Sequence, residues 1–288
     1  MTCDILVFLA GLLWGMIGLS VRKLGEYGFG SLEISALRWS FAAVFIALFA
    51  LCFCRERLRI RLRDASKFAA AGIFGTAAMS AFLCLSMEYV TIAVADVLLY
   101  TAPVFVMIAS VFFLGEKFSA RKGIAILLAV SGCALVCGIV GENSVSLPGI
   151  LSGIMSGVCY ASYSVIGKFI LRDYDALTLT VWTTIFAGIA SLFLISPVRT
   201  VGKLAASPKA IIFVLMISVV CTLLPFALYS AGLKKCPASR AAVLSCTEPV
   251  AAAVFGAILG EKISVFQIIG VALVISGILT ITINKKGN

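Results

Sequence analysis

Four ionisable side chains fall well inside apolar stretches of this chain: Arg38, Asp96, Arg240 and Glu248. A charge in hydrocarbon is costly unless it is paired or wet, so such residues mark substrate or proton pathways by default. Arg38 and Asp96, from the first half, and Glu248, from the second, are expected to face a central cavity and bind a polar substrate or carry a coupling proton. The alternative for each is a buried ion pair or a side chain snorkelling to the interface. For Arg240, close to Lys234 and Lys235, that alternative is preferred. Trp14, Tyr100, Tyr160, Tyr163, Trp182 and Tyr229 also lie deep in apolar stretches, away from the interfacial belt. Their polar tips need partners, which a pocket wall stacking on a small metabolite would supply, as would ordinary interhelical hydrogen bonds. Other chemistry lacks its residues. The chain has no histidine, no paired acidic cluster and no nucleophile elbow, and Cys52 and Cys54 have no matching pair. The reading is therefore no enzyme, no catalytic residue, no metal and no cofactor.

The elements that must position these groups are membrane helices. Of the 288 residues, 62% are hydrophobic and 12% charged, more apolar surface than a soluble globule of this size can hide. Apolar stretches of about 20 residues, the length that crosses a bilayer as a helix, recur ten times, at 4–24, 31–53, 68–88, 91–114, 121–140, 147–170, 176–196, 209–233, 237–259 and 264–284. Residues 102–117, ending Leu-Gly-Glu-Lys, return as 248–262, and Glu116, Ser119 and Ser131-Gly132 match Glu261, Ser264 and Ser276-Gly277. Five helices per copy is an odd number, so the second copy enters the membrane upside down. The fold class is all-α integral membrane: ten transmembrane helices as two inverted five-helix repeats, 4–138 and 149–283. Inverted repeats are a common plan of secondary transporters, with the substrate site near the midplane between the halves. Pro103 and Pro249 occupy equivalent positions and break a backbone hydrogen bond inside their helices, which makes both candidates for gating. Gly11, Gly15 and Gly18, and Gly149, Gly153 and Gly157, read as close helix packing.

With the N-terminus in the cytoplasm, 16 Lys and Arg fall on the inner side and six outside, so the positive-inside rule places both termini in the cytoplasm of a multi-pass plasma-membrane protein. The net charge of +10 then reflects topology and anionic inner-leaflet lipid rather than nucleic acid. The first apolar stretch lacks a basic leader and pairs with 147–170, so it reads as retained rather than cleaved. Arg55, Arg57, Arg59, Arg61 and Arg63 alternate with Leu58, Ile60 and Leu62, the pattern of an interfacial loop or of a lipid or partner site.

Leu-Leu-Trp-Gly (12–15), Ala-Leu-Arg-Trp (36–39), Tyr-Thr-Ala-Pro (100–103) running to Leu-Gly-Glu-Lys (114–117), and Thr-Glu-Pro-Val (247–250) running to Leu-Gly-Glu-Lys (259–262) resemble the EamA family of the drug/metabolite transporter superfamily. The resemblance covers nearly the whole chain. It implies a bacterial inner-membrane carrier, a cavity between the halves and rocking-bundle alternating access. Two departures stand out: Cys159 replaces a common Trp, and Pro249 to Gly260 is one residue shorter than Pro103 to Gly115. The expected function is a secondary transporter exporting a small polar metabolite such as an amino acid. No phosphate-binding Gly-x-x-x-x-Gly-Lys-Ser/Thr motif is present, so energy would come from the substrate gradient, a proton or an exchanged solute. A multidrug, cationic or sugar-like solute carrier of the same fold is the alternative. From another class, so is a non-transporting sensor or partner subunit. Oligomeric state is not written in the sequence.

Overall fold

The computed structural model describes residues 2–138, 146–260 and 263–283, and every regular element among them is helical. Apolar runs in lipid must satisfy their backbone groups internally, which a helix does alone. α1 (Cys3–Trp14) and α2 (Ile17–Glu26) form one segment interrupted at Gly15. α3 (Ser31–Phe53) is started by Glu33, whose carboxylate accepts the Gly30 N–H at 3.0 Å. α4 (Ala65–Gly72) and α5 (Met79–Met87) are joined by a wide π-type turn over Ile73–Ala78. α6 (Ile92–Leu99) and α7 (Ala102–Leu114) make the next segment, followed by α8 (Ala120–Val136).

The second copy opens with α9 (Leu147–Asp173) and α10 (Ala176–Leu192). α11 (Pro197–Ala206) turns 96° away from α10. α12 (Ala210–Leu215) and α13 (Leu224–Lys235) flank a second π-type turn over Met216–Leu223. α14 (Ala238–Ser245), α15 (Thr247–Ile258) and α16 (Val265–Thr282) complete the chain.

Eight of these segments are long and apolar enough to cross a membrane, or up to nine if the bent pair α10–α11 counts as one span. That is fewer than the ten that hydropathy suggests. α8, with 17 residues, is short for a crossing, and α10 reaches the required length only together with the bent α11. Glu261, Lys262, Lys285 and Lys286, and the ends of the stretches 121–140 and 264–284, lie outside the described residues.

The two π-type turns coincide at the 145-residue offset of the repeat. In the second, Pro225 supplies no N–H, and the Thr222 hydroxyl donates to the Ile217 carbonyl at 2.7 Å. In the first, Gly72 and Gly75 let the turn press on the α10 and α9 backbones: a Cβ on Gly75 would lie 2.8 Å from Tyr163 Cα. Contacts sort the bundle into two ends. At one, Arg240 donates to Asp4 at 2.8 and 2.7 Å and lies near the Thr282 carbonyl, bringing the starts of α1 and α14 to the finish of α16. At the other, Lys203 of α11 pairs with Glu33 of α3 at 2.6 Å.

Candidate functional site

A cavity of about 330 Å³ opens between α2, α6, α15 and the ends of α8 and α16. Its polar lining is Arg22, Asp96, Tyr100, Cys137 and Gln267, with Gly18, Pro249 and Gly256 among the rest. The first copy supplies Asp96 and Tyr100 from α6 and the turn after it, and the second supplies the α15 face from Pro249 to Leu259. The break that exposes this wall follows from the prolines. α6 stops at Leu99 and α7 restarts with Pro103 in its first turn; α14 stops at Ser245 and α15 restarts with Pro249 in its first turn. Both copies then end in a left-handed glycine, Gly115 at φ +70° and Gly260 at φ +92°, where a side chain would be strained.

The Asp96 carboxylate makes no hydrogen bond or ion pair with the described residues, while its backbone carbonyl accepts the Tyr100 N–H at 2.9 Å. Glu248, next to Pro249, lies within electrostatic range of Tyr100, Asp96 and Arg38 but does not itself line the cavity. Arg38 lies behind this group. Its guanidinium donates to Ser80 at 3.0 Å and sits 5.1 Å from the Trp39 ring centre, while its Nε is buried with no hydrogen-bond partner. The structure thus brings Asp96, Tyr100 and Glu248 together across the two copies, with Arg38 within electrostatic reach.

The other aromatics form a packed wall rather than the cavity lining. Phe226 is its hub, met edge-on by Trp14 at 5.3 Å, Trp39 at 5.1 Å and Tyr163 at 5.2 Å. The Tyr163 hydroxyl bonds Ser230 at 2.9 Å and the Tyr229 hydroxyl bonds Ser164 at 2.8 Å. Tyr160 packs on Tyr229, its hydroxyl buried beside Ser245 without a well-formed hydrogen bond, and Trp182 packs on Phe186 with its indole N–H unpartnered. Sequence reasoning missed Ser80, Phe226, Cys137 and Gln267. None carries a charge, and nothing in an all-apolar helix tells a pocket face from a packed one.

The Gly11 and Gly15 readings hold. A Cβ on Gly11 would collide with Thr247, and one on Gly15 would come within 2.6 Å of Ala251, so α1 lies directly against α15. Gly18 meets nothing within 4 Å; it opens the cavity instead. Gly149, Gly153 and Gly157 seat α9 against Tyr89, Val90, Leu98 and Thr101.

Away from the cavity, at the Asp4 end, the bundle is tied shut. Glu116, just past α7, accepts the N–H groups of Ala238 at 2.6 Å and Ser239 at 3.4 Å, takes the Ser239 hydroxyl, and pairs with Lys122 at 2.9 Å. α14 has Pro237 at its N-cap and no side-chain cap of its own, so a residue of the first copy caps a helix of the second. Burial pushes the Glu116 carboxyl up, but the Ser239, Lys122 and Ala238 contacts outweigh it and hold the group below the ordinary glutamate range. Nearby, Lys168 donates to the carbonyls of Leu233 at 2.6 Å and Cys236 at 2.7 Å, closing α13. Asp175 likewise lies below the usual aspartate range, because bonds from Thr178 and Arg57 outweigh its burial.

The EamA-like transporter family model matches residues 1–138 and 147–283. An uncharacterized transporter of Archaeoglobus fulgidus is 30% identical over 278 residues, 96% of this chain and 95% of that protein. The uncharacterized inner membrane transporter YicL of Salmonella typhimurium is 25% identical, with 97% of this chain and 95% of its own covered. A protein crystal structure shares the fold at a TM-score of 0.80 with 20% identity, over 97% of this chain and 96% of that one.

Proposed function

Because the chain belongs to the EamA-like transporter family, we propose that it is a secondary transporter exporting a small polar metabolite, such as an amino acid, across the cytoplasmic membrane by alternating access. The observation that carries this reading is the cavity of about 330 Å³ walled by the two broken helices, one from each copy. Its volume is at the small end of ligand pockets and suits a metabolite rather than a large drug. Asp96 on the cavity wall, with Glu248 behind it, takes an amine or a coupling proton, and the deeper Arg38, whose buried Nε has no protein partner, takes a carboxylate once the halves move and uncover it. Tyr100 orients the cargo between them, and Trp14, Tyr160, Tyr163, Trp182 and Tyr229 hold the wall behind it. The helices cross ten times as two inverted repeats, 4–138 and 149–283. Both termini lie in the cytoplasm, which makes the Glu116-closed end the inner one and this conformation outward-facing. Pro103 and Pro249 are the points about which the halves exchange states.

A cationic solute is the second reading. The observation favouring it is that Asp96 and Glu248 make no ion pair among the described residues, whereas Arg38 is already bonded to Ser80.

Counterflow in proteoliposomes tests the proposal. With mixed neutral amino acids inside, labelled amino acid should accumulate transiently over protein-free vesicles, and Asp96→Asn or Glu248→Gln should abolish it while leaving the melting temperature unchanged. No accumulation by folded protein discards amino acids. Accumulation of an organic cation instead selects the second reading.

A further inference from the structure

A second cavity, of about 470 Å³, lies at the Asp4 end between the finishes of α7, α9 and α13, and it is lined by Lys168, Arg172, Lys234, Glu116, Leu114 and Leu171. Three of these are cations. The one carboxylate, Glu116, is already taken up by Lys122, Ser239 and the α14 backbone. Each cation keeps donors in reserve. Lys168 uses two of its three N–H groups on carbonyls, Lys234 uses one on the Tyr174 carbonyl at 2.9 Å, and among the described residues Arg172 meets only the Phe169 ring, 4.8 Å away. Arg172 therefore offers an uncommitted planar fork of the kind that grips a phosphate with two hydrogen bonds.

What enters must be anionic and able to lie at the end of membrane-spanning helices. Leu114 and Leu171 line the cavity, and immediately before Leu114 the side chains of Phe112 and Phe113 stand 78% and 67% exposed. A soluble anion has no use for that apolar flank; acyl chains do. We propose that this cavity is a binding site for the headgroup of an anionic phospholipid, the phosphate on Arg172 and Lys234 with Lys168 behind it and the chains along Phe112 and Phe113. The site is separate from the transport cavity. It abuts Glu116, so a bound headgroup braces the end of the bundle that Glu116 closes.

The site differs from a generally basic surface, and the molecule supplies the control. Arg59 and Arg63 are exposed on the same end of the bundle but line no described cavity. Native mass spectrometry of the purified full chain, equilibrated with equal phosphatidylglycerol and phosphatidylcholine, should show retention of phosphatidylglycerol. Removing two cations in the double variant Arg172→Gln/Lys234→Gln should weaken that retention roughly 30-fold, at about tenfold or less for each surface cation. Arg59→Gln/Arg63→Gln should leave it intact. Arg172 and Lys234 are exposed, so both variants should fold, and their melting temperatures in the same detergent check it. Equal retention of the two lipids, or equal loss in both double variants, overturns the proposal. So does displacement of the lipid by millimolar inorganic phosphate, which would assign the cavity to a soluble phosphate instead.

Discussion

Replacing Glu116 by alanine should release the Asp4 end of the bundle. The side chain accepts two backbone N–H groups and one hydroxyl from α14 and pairs with Lys122. Losing an N-cap costs about 0.5–2 kcal/mol, and a hydrogen bond to a charged group is worth about 1.5–3 kcal/mol. The contributions overlap, and water can replace part of them at an open end. The closed arrangement should therefore lose about 2–3 kcal/mol, a shift of roughly 30- to 150-fold. A change of this size brings a 99:1 distribution close to parity. Cys137 reports the change, because it lines the cavity around Asp96 and is partly exposed. In proteoliposomes treated with a membrane-impermeant maleimide, peptide mass spectrometry should find Cys137 labelled in the parent protein. If opening one end closes the other, labelling of Glu116→Ala should fall about 1.3- to 2.5-fold from a 99:1 start, with Glu116→Gln in between. Unchanged labelling in a folded Glu116→Ala protein would refute the link between the two ends.

The same carboxyl sets a pH window. Its pKa is lowered in the closed state, so the stability it adds is fully present above the ordinary glutamate value of about 4.3 and is lost as pH falls through the lowered value. Cys137 labelling, corrected for thiolate reactivity, should be flat from neutral pH to about 5 and drop only below that, and Glu116→Gln should show no such drop. Two glycines one helical turn apart should behave oppositely. Gly15→Val forces α1 from Ala251 and should lower stability by about 1–3 kcal/mol in a thermal melt, whereas Gly18→Val should melt normally but reduce transport by filling the cavity. Arg240→Ala leaves Asp4 without its two-bond partner and should cost about 1–3 kcal/mol; an Asp4→Asn/Arg240→Ala cycle measured by melting should show the two effects to be non-additive.

The membrane class was legible because hydropathy needs no knowledge of packing. Long apolar runs locate helices to within a few residues, as at 147–170, with Lys168 near its end, against Leu147–Asp173. Asp96 and Tyr100 were legible as cavity candidates for a related reason, since a polar side chain in an apolar run is conspicuous; Pro249, read as a gating candidate, lines the same cavity. The facing of side chains was not. Helices that are apolar all round have little 3.6-residue contrast, so Trp14, packed on Phe226 and Tyr229, looks the same in sequence as Tyr100, which lines the cavity. α11 was missed because it fell in a polar interval. Its signal was Val198, Val201 and Leu204 at helical spacing against Arg199 and Lys203, the pattern of a helix lying in the interface. The π-type turns left only Pro225 as a trace.

The duplication also hides a difference between the two ends of the bundle. Two copies of one sequence plan would be expected to meet alike at both ends, yet the starts of the two broken segments differ. α6 begins at Thr91, whose hydroxyl accepts the Val94 N–H at 3.4 Å, so it caps itself. α14 begins at Pro237, which has no side-chain oxygen to offer, and takes its cap from Glu116 of the other copy. A helix that caps itself gains little from a partner's carboxylate, whereas one that cannot gains the full capping energy from it. That difference in residue type, Thr against Pro at equivalent positions, goes with a contact between the copies at the start of α14 that the start of α6 does not make with the described residues. That contact is worth a few kcal/mol at most, the range in which a bound ligand shifts the balance between two conformations.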